Sequence, residues 1–119
     1  MKKANYILAI AMAFSLTGCM ARSWKKGSDR AGCIMNIRNV QQAIRSYQGM
    51  NDLSVGDTIP AGEIVGPGKF IELEPICPGG GTYKQDLTKE IVVPEVGKEF
   101  LKCSLCDTEE HKPQDTEGW

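Results

Sequence analysis

The sequence predicts an α+β domain in which one N-terminal amphipathic helix packs on a small antiparallel sheet of two or three strands. Three observations carry that expectation. Apolar side chains recur at alternating spacings of four and three between positions 33 and 47. Short runs of β-branched and aromatic residues, divided by glycine and proline, follow after position 69. The 119 residues suffice for one domain and not for two.

The helix comes first. Cys33, Ile37, Val40, Ile44 and Tyr47 fall on one face, while Arg30, Arg38, Gln41, Gln42, Arg45 and Gln48 fill the others. Ser28 or Asp29 is a suitable N-cap, and Gly49 and Asn51 supply stop signals. The stripe reads as core packing. It spans barely two heptads, too few for a sustained coiled coil.

Positions 52–68 carry Gly56, Pro60, Gly62, Gly66, Pro67 and Gly68 and read as loop, with one short turn or strand near Glu63-Ile64-Val65. Gly66-Pro67-Gly68-Lys69 is not a phosphate loop, because no Ser or Thr follows the lysine and no helix pattern begins there. The run from Phe70 to Pro78 brings apolar residues to the core before the turn Gly79-Gly80-Gly81. Thr82-Tyr83-Lys84, Ile91-Val92-Val93 and Phe100-Leu101-Lys102-Cys103 are the strand candidates.

The first eighteen residues are of a different kind. Lys2 and Lys3 precede the apolar run from Tyr6 to Phe14, and small residues close it at Ser15-Leu16-Thr17-Gly18. Charge, length and flank are those of a secretory signal, since a membrane span needs about 20 apolar residues. Leu16-Thr17-Gly18-Cys19 resembles the lipobox of bacterial lipoproteins. The resemblance implies cleavage before Cys19 and attachment of acyl chains (palmitate among them) to that cysteine. Each buried methylene contributes about 0.8 kcal/mol, so several chains hold firmly where one does not. Met20 stands where an Asp would argue for inner-membrane retention, which points to the outer membrane. The expected segments are a signal peptide at 1–18, a lipid-anchored linker at 19–28, a globular domain at 29–111 and a flexible tail at 112–119. Trp24, beside Lys25 and Lys26, either rests at a headgroup interface or packs on the domain edge.

Composition excludes some partners. Without residues 1–18 the formal charge moves from -1 to -3, with 12 basic against 15 acidic side chains. There is no basic excess to neutralise phosphates, and aromatics make up only 7%, so a nucleic-acid partner is not expected. Beyond Cys19 there are four cysteines: Cys33, Cys77, Cys103 and Cys106. An even number in an exported chain suggests disulfides that staple a thin core, and four cysteines allow three pairings.

Three stretches resemble the head domains of bacterial pilins and pseudopilins of the competence and type II secretion kind. Cys33-x-x-Asn36-Ile37-Arg38-x-Val40-x-x-Ala43-x-x-x-Tyr47 is similar to the helix of that group. Cys77-Pro78-Gly79-Gly80-Gly81-Thr82-Tyr83 is similar to its Cys-Pro-x-Gly-Gly-Thr-Tyr turn, and Cys103-Ser104 with His111 to its closing residues. The chain departs from the group in lacking a methylation-type cleavage site and the long apolar helix that packs in a filament. The segment 84–102 is longer than usual, and Cys106 is additional. The resemblance implies a Cys77–Cys103 disulfide closing the hairpin, which leaves Cys33 with Cys106. It further implies a non-enzymatic head held at the cell envelope by lipid. Its partners would be the membrane and another envelope protein, with a link to pilus or secretion machinery.

Two chemistries compete with that expectation. Cys103-Ser104-Leu105-Cys106 is a Cys-x-x-Cys, but Asp107, Glu109 and Glu110 follow it and disfavour a thiolate, which argues against thiol redox catalysis. Cys33, Cys77, Cys103, Cys106 and His111 are enough soft ligands for a tetrahedral zinc, although only one Cys-x-x-Cys is present. His111 is the single histidine, and no serine or cysteine stands in a nucleophile motif, so no catalytic residue is assigned. The expected cofactor set is therefore the lipid at Cys19 alone, with zinc as the alternative.

Overall fold

The computed structural model describes the backbone of residues 2–119 and the side chains from Trp24 onward. The side chain of Cys19, and with it the lipid-attachment expectation, lies outside the described residues. The element order is α1 (Lys2–Met50), β1 (Thr58–Pro60), a 3-10 turn (Ala61–Glu63) and β2 (Glu90–Val92). This is the α+β arrangement expected, one helix on a two-stranded antiparallel sheet.

The helix differs from expectation at both ends. It runs unbroken through Ser28 and Asp29, so neither caps it. The reason is local: no proline occurs before Pro60, and each glycine near this point, Gly27 and Gly32, costs a helix only about 1 kcal/mol. At the other end Gly49 lies inside the helix, which closes one residue later. The left-handed residue is Asp52, at φ 52°. Asn51 makes the stop: its backbone N–H and its side-chain amide both donate to the Tyr47 carbonyl, at 3.1 and 3.0 Å. Among the described residues, no helix is long and apolar enough to cross a membrane.

The buried face of α1 is the one its spacing predicts. Cys33, Ile37, Val40 and Ile44 are almost fully inaccessible, and Tyr47 packs beside them. Gln41, assigned to a solvent face by pattern, is also buried. Its Nε2 donates to the Lys98 carbonyl at 3.0 Å, and its Oε1 accepts from the Phe100 N–H at 2.9 Å. A single amide thus satisfies an unpaired strip of backbone and fastens it to the helix.

The sheet has two strands, within the expected two or three, but they are differently placed. β1 lies in the region read as loop, and it pairs with β2 as Thr58↔Val92, Ile59↔Ile91 and Pro60↔Glu90. The inward residues Ile59 and Ile91 face each other across the pair and are fully buried. The candidate strands at 82–84 and 100–103 reduce to one antiparallel bridge, Tyr83↔Cys103. Two backbone bonds flank it, Lys84 N–H to Lys102 at 3.1 Å and Ser104 N–H to Thr82 at 2.8 Å. The core therefore forms from aliphatics of the helix, β1, β2 and irregular segments, with Ile64, Val93 and Leu101 completing it.

The segment read as a loose tail returns to the helix. The Trp119 ring packs on the core and stacks under the Arg38 guanidinium, 5.7 Å from the ring centroid. Arg45 donates to the main-chain oxygens of Glu95 and Trp119, and Thr116 donates to Gly97. Trp24, by contrast, is 77% exposed.

Candidate metal centre

Three stretches far apart in sequence, the last supplying two residues, bring their sulfur and nitrogen atoms to one buried point. Cys33 comes from α1, Cys77 from the turn before the three glycines, Cys103 from its bridge with Tyr83, and His111 from the segment after it. Their potential ligand atoms all lie within 4.8 Å of one another. All four side chains are nearly inaccessible, at 0%, 3%, 1% and 1% exposure. Cys106, the fifth member of the ligand set read from sequence, is half-buried and stays outside the group.

The distances discriminate between a bond and a coordination shell. Cys77 and Cys103 Sγ are 3.7 Å apart, and the four described cysteines are free. A disulfide needs about 2.05 Å. Two thiolates on a tetrahedral zinc, each at about 2.3 Å, stand about 3.8 Å apart, and a thiolate and an imidazole nitrogen about 3.5 Å apart. His111 Nδ1 lies 3.3 Å from Cys77 Sγ and 3.9 Å from Cys103 Sγ, on either side of that value. The donor set, three soft sulfurs and one imidazole, is that of a closed structural zinc site. Neither expected disulfide is at bonding distance: Cys77 and Cys103 are close but not bonded. Cys33 lies with Cys77, Cys103 and His111 and not with Cys106.

The surrounding backbone is cut to this shape. A Cβ on Gly81 would stand 2.6 Å from Cys103 Sγ, and one on Gly79 would stand 2.8 Å from His111 Cε1. Glycine is therefore required at both positions for close approach, independent of any unusual φ. Gly80, at φ 84°, turns the chain between them, and its N–H donates to the Cys77 carbonyl at 3.1 Å.

Each ligand has a partner outside the group. Tyr83 Oη is 3.4 Å from Cys33 Sγ. The backbone amides of Gly79 and Gly81 favour the ionised form of the Cys77 sulfur. The Leu105 N–H reaches Cys103 Sγ at 3.5 Å. Glu109 Oε2 lies 3.6 Å from His111 Nε2. The thiols respond accordingly. Burial pushes Cys33 far above the ordinary thiol range, and burial also raises Cys103. Burial works the same way on Cys77, but hydrogen bonds from Cys33, Gly79 and Gly81 outweigh it and bring that thiol below its usual value. Burial raises the Tyr83 phenol as well. Burial thus holds Cys33 and Cys103 as thiols, whereas a divalent metal at this point would favour their thiolates.

Sequence reading identified all four ligands but not their supports. The pattern gives Tyr83 a strand position and a place in the Cys77–Tyr83 motif, and Asn36 a place in the helix motif, but neither a role beside the cysteines. A half-buried tyrosine needs a partner for its hydroxyl, and that need was the available signal. No protein-family model, curated protein or solved structure matches this chain.

Proposed function

We propose that this chain is a non-enzymatic envelope lipoprotein, tethered through Cys19, whose pilin-like head is held together by a structural zinc ion on Cys33, Cys77, Cys103 and His111. The observation that carries the metal is the convergence of those four buried ligand atoms within 4.8 Å. Four protein ligands leave zinc no open position, which supports a structural role rather than catalysis. Size supports it too. The regular sheet is only three residues per strand, and a head this small needs a staple. Zinc would take the place of the disulfides that an exported chain usually carries. A protein-binding role is supported by the exposed side chains of Leu73 and Ile76, at 80% and 79%, which a water-facing loop has no use for.

The test is a metal and thiol count on the full chain purified without reductant. One zinc per chain, with Cys33, Cys77 and Cys103 alkylated only after chelation and unfolding, is the expected result. A metal-free protein with a Cys77–Cys103 disulfide would overturn the zinc reading. The tether is tested separately, by feeding cells a fatty-acid probe. Label on the wild type and none on Cys19→Ala is expected; label on the variant would sink the lipid reading.

A further inference from the structure

We infer that Tyr83 is a positioning residue of the metal centre, oriented by Asn36 so that its hydroxyl donates its one proton to the Cys33 thiolate. The inference rests on the zinc reading above and names how that site is tuned.

The direction of each hydrogen bond follows from the atoms present. Asn36 Nδ2 lies 2.9 Å from the Ile76 carbonyl, which can only accept. That contact fixes which end of the amide is nitrogen. The same Nδ2 lies 3.2 Å from Tyr83 Oη, so the phenol oxygen accepts there. A phenol carries one proton. With Asn36 giving to the oxygen, that proton points to the remaining neighbour, Cys33 Sγ at 3.4 Å. The relay therefore runs from amide to phenol to sulfur.

Cys33 needs such a donor more than its companions do. Three thiolates on a divalent cation leave the buried centre one net negative charge, which is costly unless donors face it. Cys103 receives the Leu105 N–H at 3.5 Å, and Cys77 sits in a turn whose Gly79 and Gly81 amides favour its ionised form. Cys33 sits in mid-helix, where backbone amides are already committed four residues back. Tyr83 supplies from outside what the helix cannot. The relay also joins three ligand segments. Asn36 lies three residues beyond Cys33, Ile76 immediately precedes Cys77, and Tyr83 bridges Cys103.

The experiment compares zinc-loaded full-length wild type, Tyr83→Phe and Asn36→Asp. Tyr83→Phe keeps the ring and removes only the proton. Its zinc affinity, measured by chelator competition, is expected to fall at least about tenfold, as outer-shell losses do. Iodoacetamide alkylation, resolved by peptide mass spectrometry, is expected to quicken at Cys33 and not at Cys77 or Cys103, because a thiolate without its donor is the better nucleophile. Asn36→Asp, which has no proton to give, is expected to show the same selectivity with a smaller rise. Wild-type affinity together with unchanged Cys33 alkylation in Tyr83→Phe overturns the inference. So does an equal rise at all three cysteines, which would mean general loosening. A wild type that holds no zinc overturns the parent reading instead.

Discussion

The two ends of the helix's buried face are built from different materials. Toward Met50, Val40 and Ile44 meet Ile59, Ile64, Ile91 and Val93, all aliphatic and all closed to water. Toward Cys33 the same face meets Cys77, Cys103 and His111. The aliphatic end gains stability by leaving water, at about 25 cal/mol per Å² of apolar surface buried, and needs nothing further. The sulfur end buries groups that gain little by leaving water and whose ionised forms lose by it. One end of the buried cluster is aliphatic; the other gathers four potential metal ligands.

Removing the metal, or one ligand by Cys33→Ser, should produce the largest effect and confine it to one end. Structural zinc contributes on the order of 10 kcal/mol where folding and binding are coupled. Hydrogen exchange should show lost protection around residues 77–81 and 103–111, with the Ile59–Ile91 pairing still protected. Equal loss at both ends would mean the comparison is false and the domain is one cooperative unit.

Ile44→Ala attacks the other end. The cavity left at a fully buried isoleucine costs about 2–5 kcal/mol, read as a lower denaturation midpoint. Zinc stoichiometry should be unchanged, which separates this variant from the first.

Gln41→Ala should cost about 1–3 kcal/mol, because it strands the Phe100 N–H and the Lys98 carbonyl without partners. A chemical-denaturation series checks it. A near-zero effect would show that water replaces the amide and that the 98–100 strip is not fastened there.

Lys98→Ala is the smallest change. It removes an ion pair to Glu95 at 2.8 Å, but both side chains are well exposed and the pair is screened. No measurable shift in melting temperature is expected; a clear drop would mean the segment depends on surface charge more than on Gln41.

Legibility in the sequence followed the range of the forces. The helix face from Cys33 to Tyr47 could be read because its period of 3.6 is a local property of the chain. The strands could not be placed the same way. Thr58-Ile59-Pro60 is three residues between loop signals, and it becomes β1 only because Ile91 lies opposite Ile59. Phe100-Leu101-Lys102-Cys103 has the better strand composition, yet it reduces to the isolated Tyr83↔Cys103 bridge, and Gln41 takes up the Phe100 N–H. Gln41 itself was misplaced because its burial depends on a backbone strip more than fifty residues away.

The same division holds at the candidate metal centre. The residue types, three cysteines and the single histidine of the final group, were determined by the sequence alone, as were the glycines that leave room for them. Which atoms meet was decided only by the tertiary structure. Composition offered five soft ligands and three disulfide pairings, and nothing local distinguishes Cys103 from Cys106. The fold separates them: the bridge to Tyr83 aims Cys103 inward beneath Gly81, while Cys106, three residues on, turns away to a half-buried position. Coordination chemistry depends on distances of a few ångströms, and only the folded chain sets those.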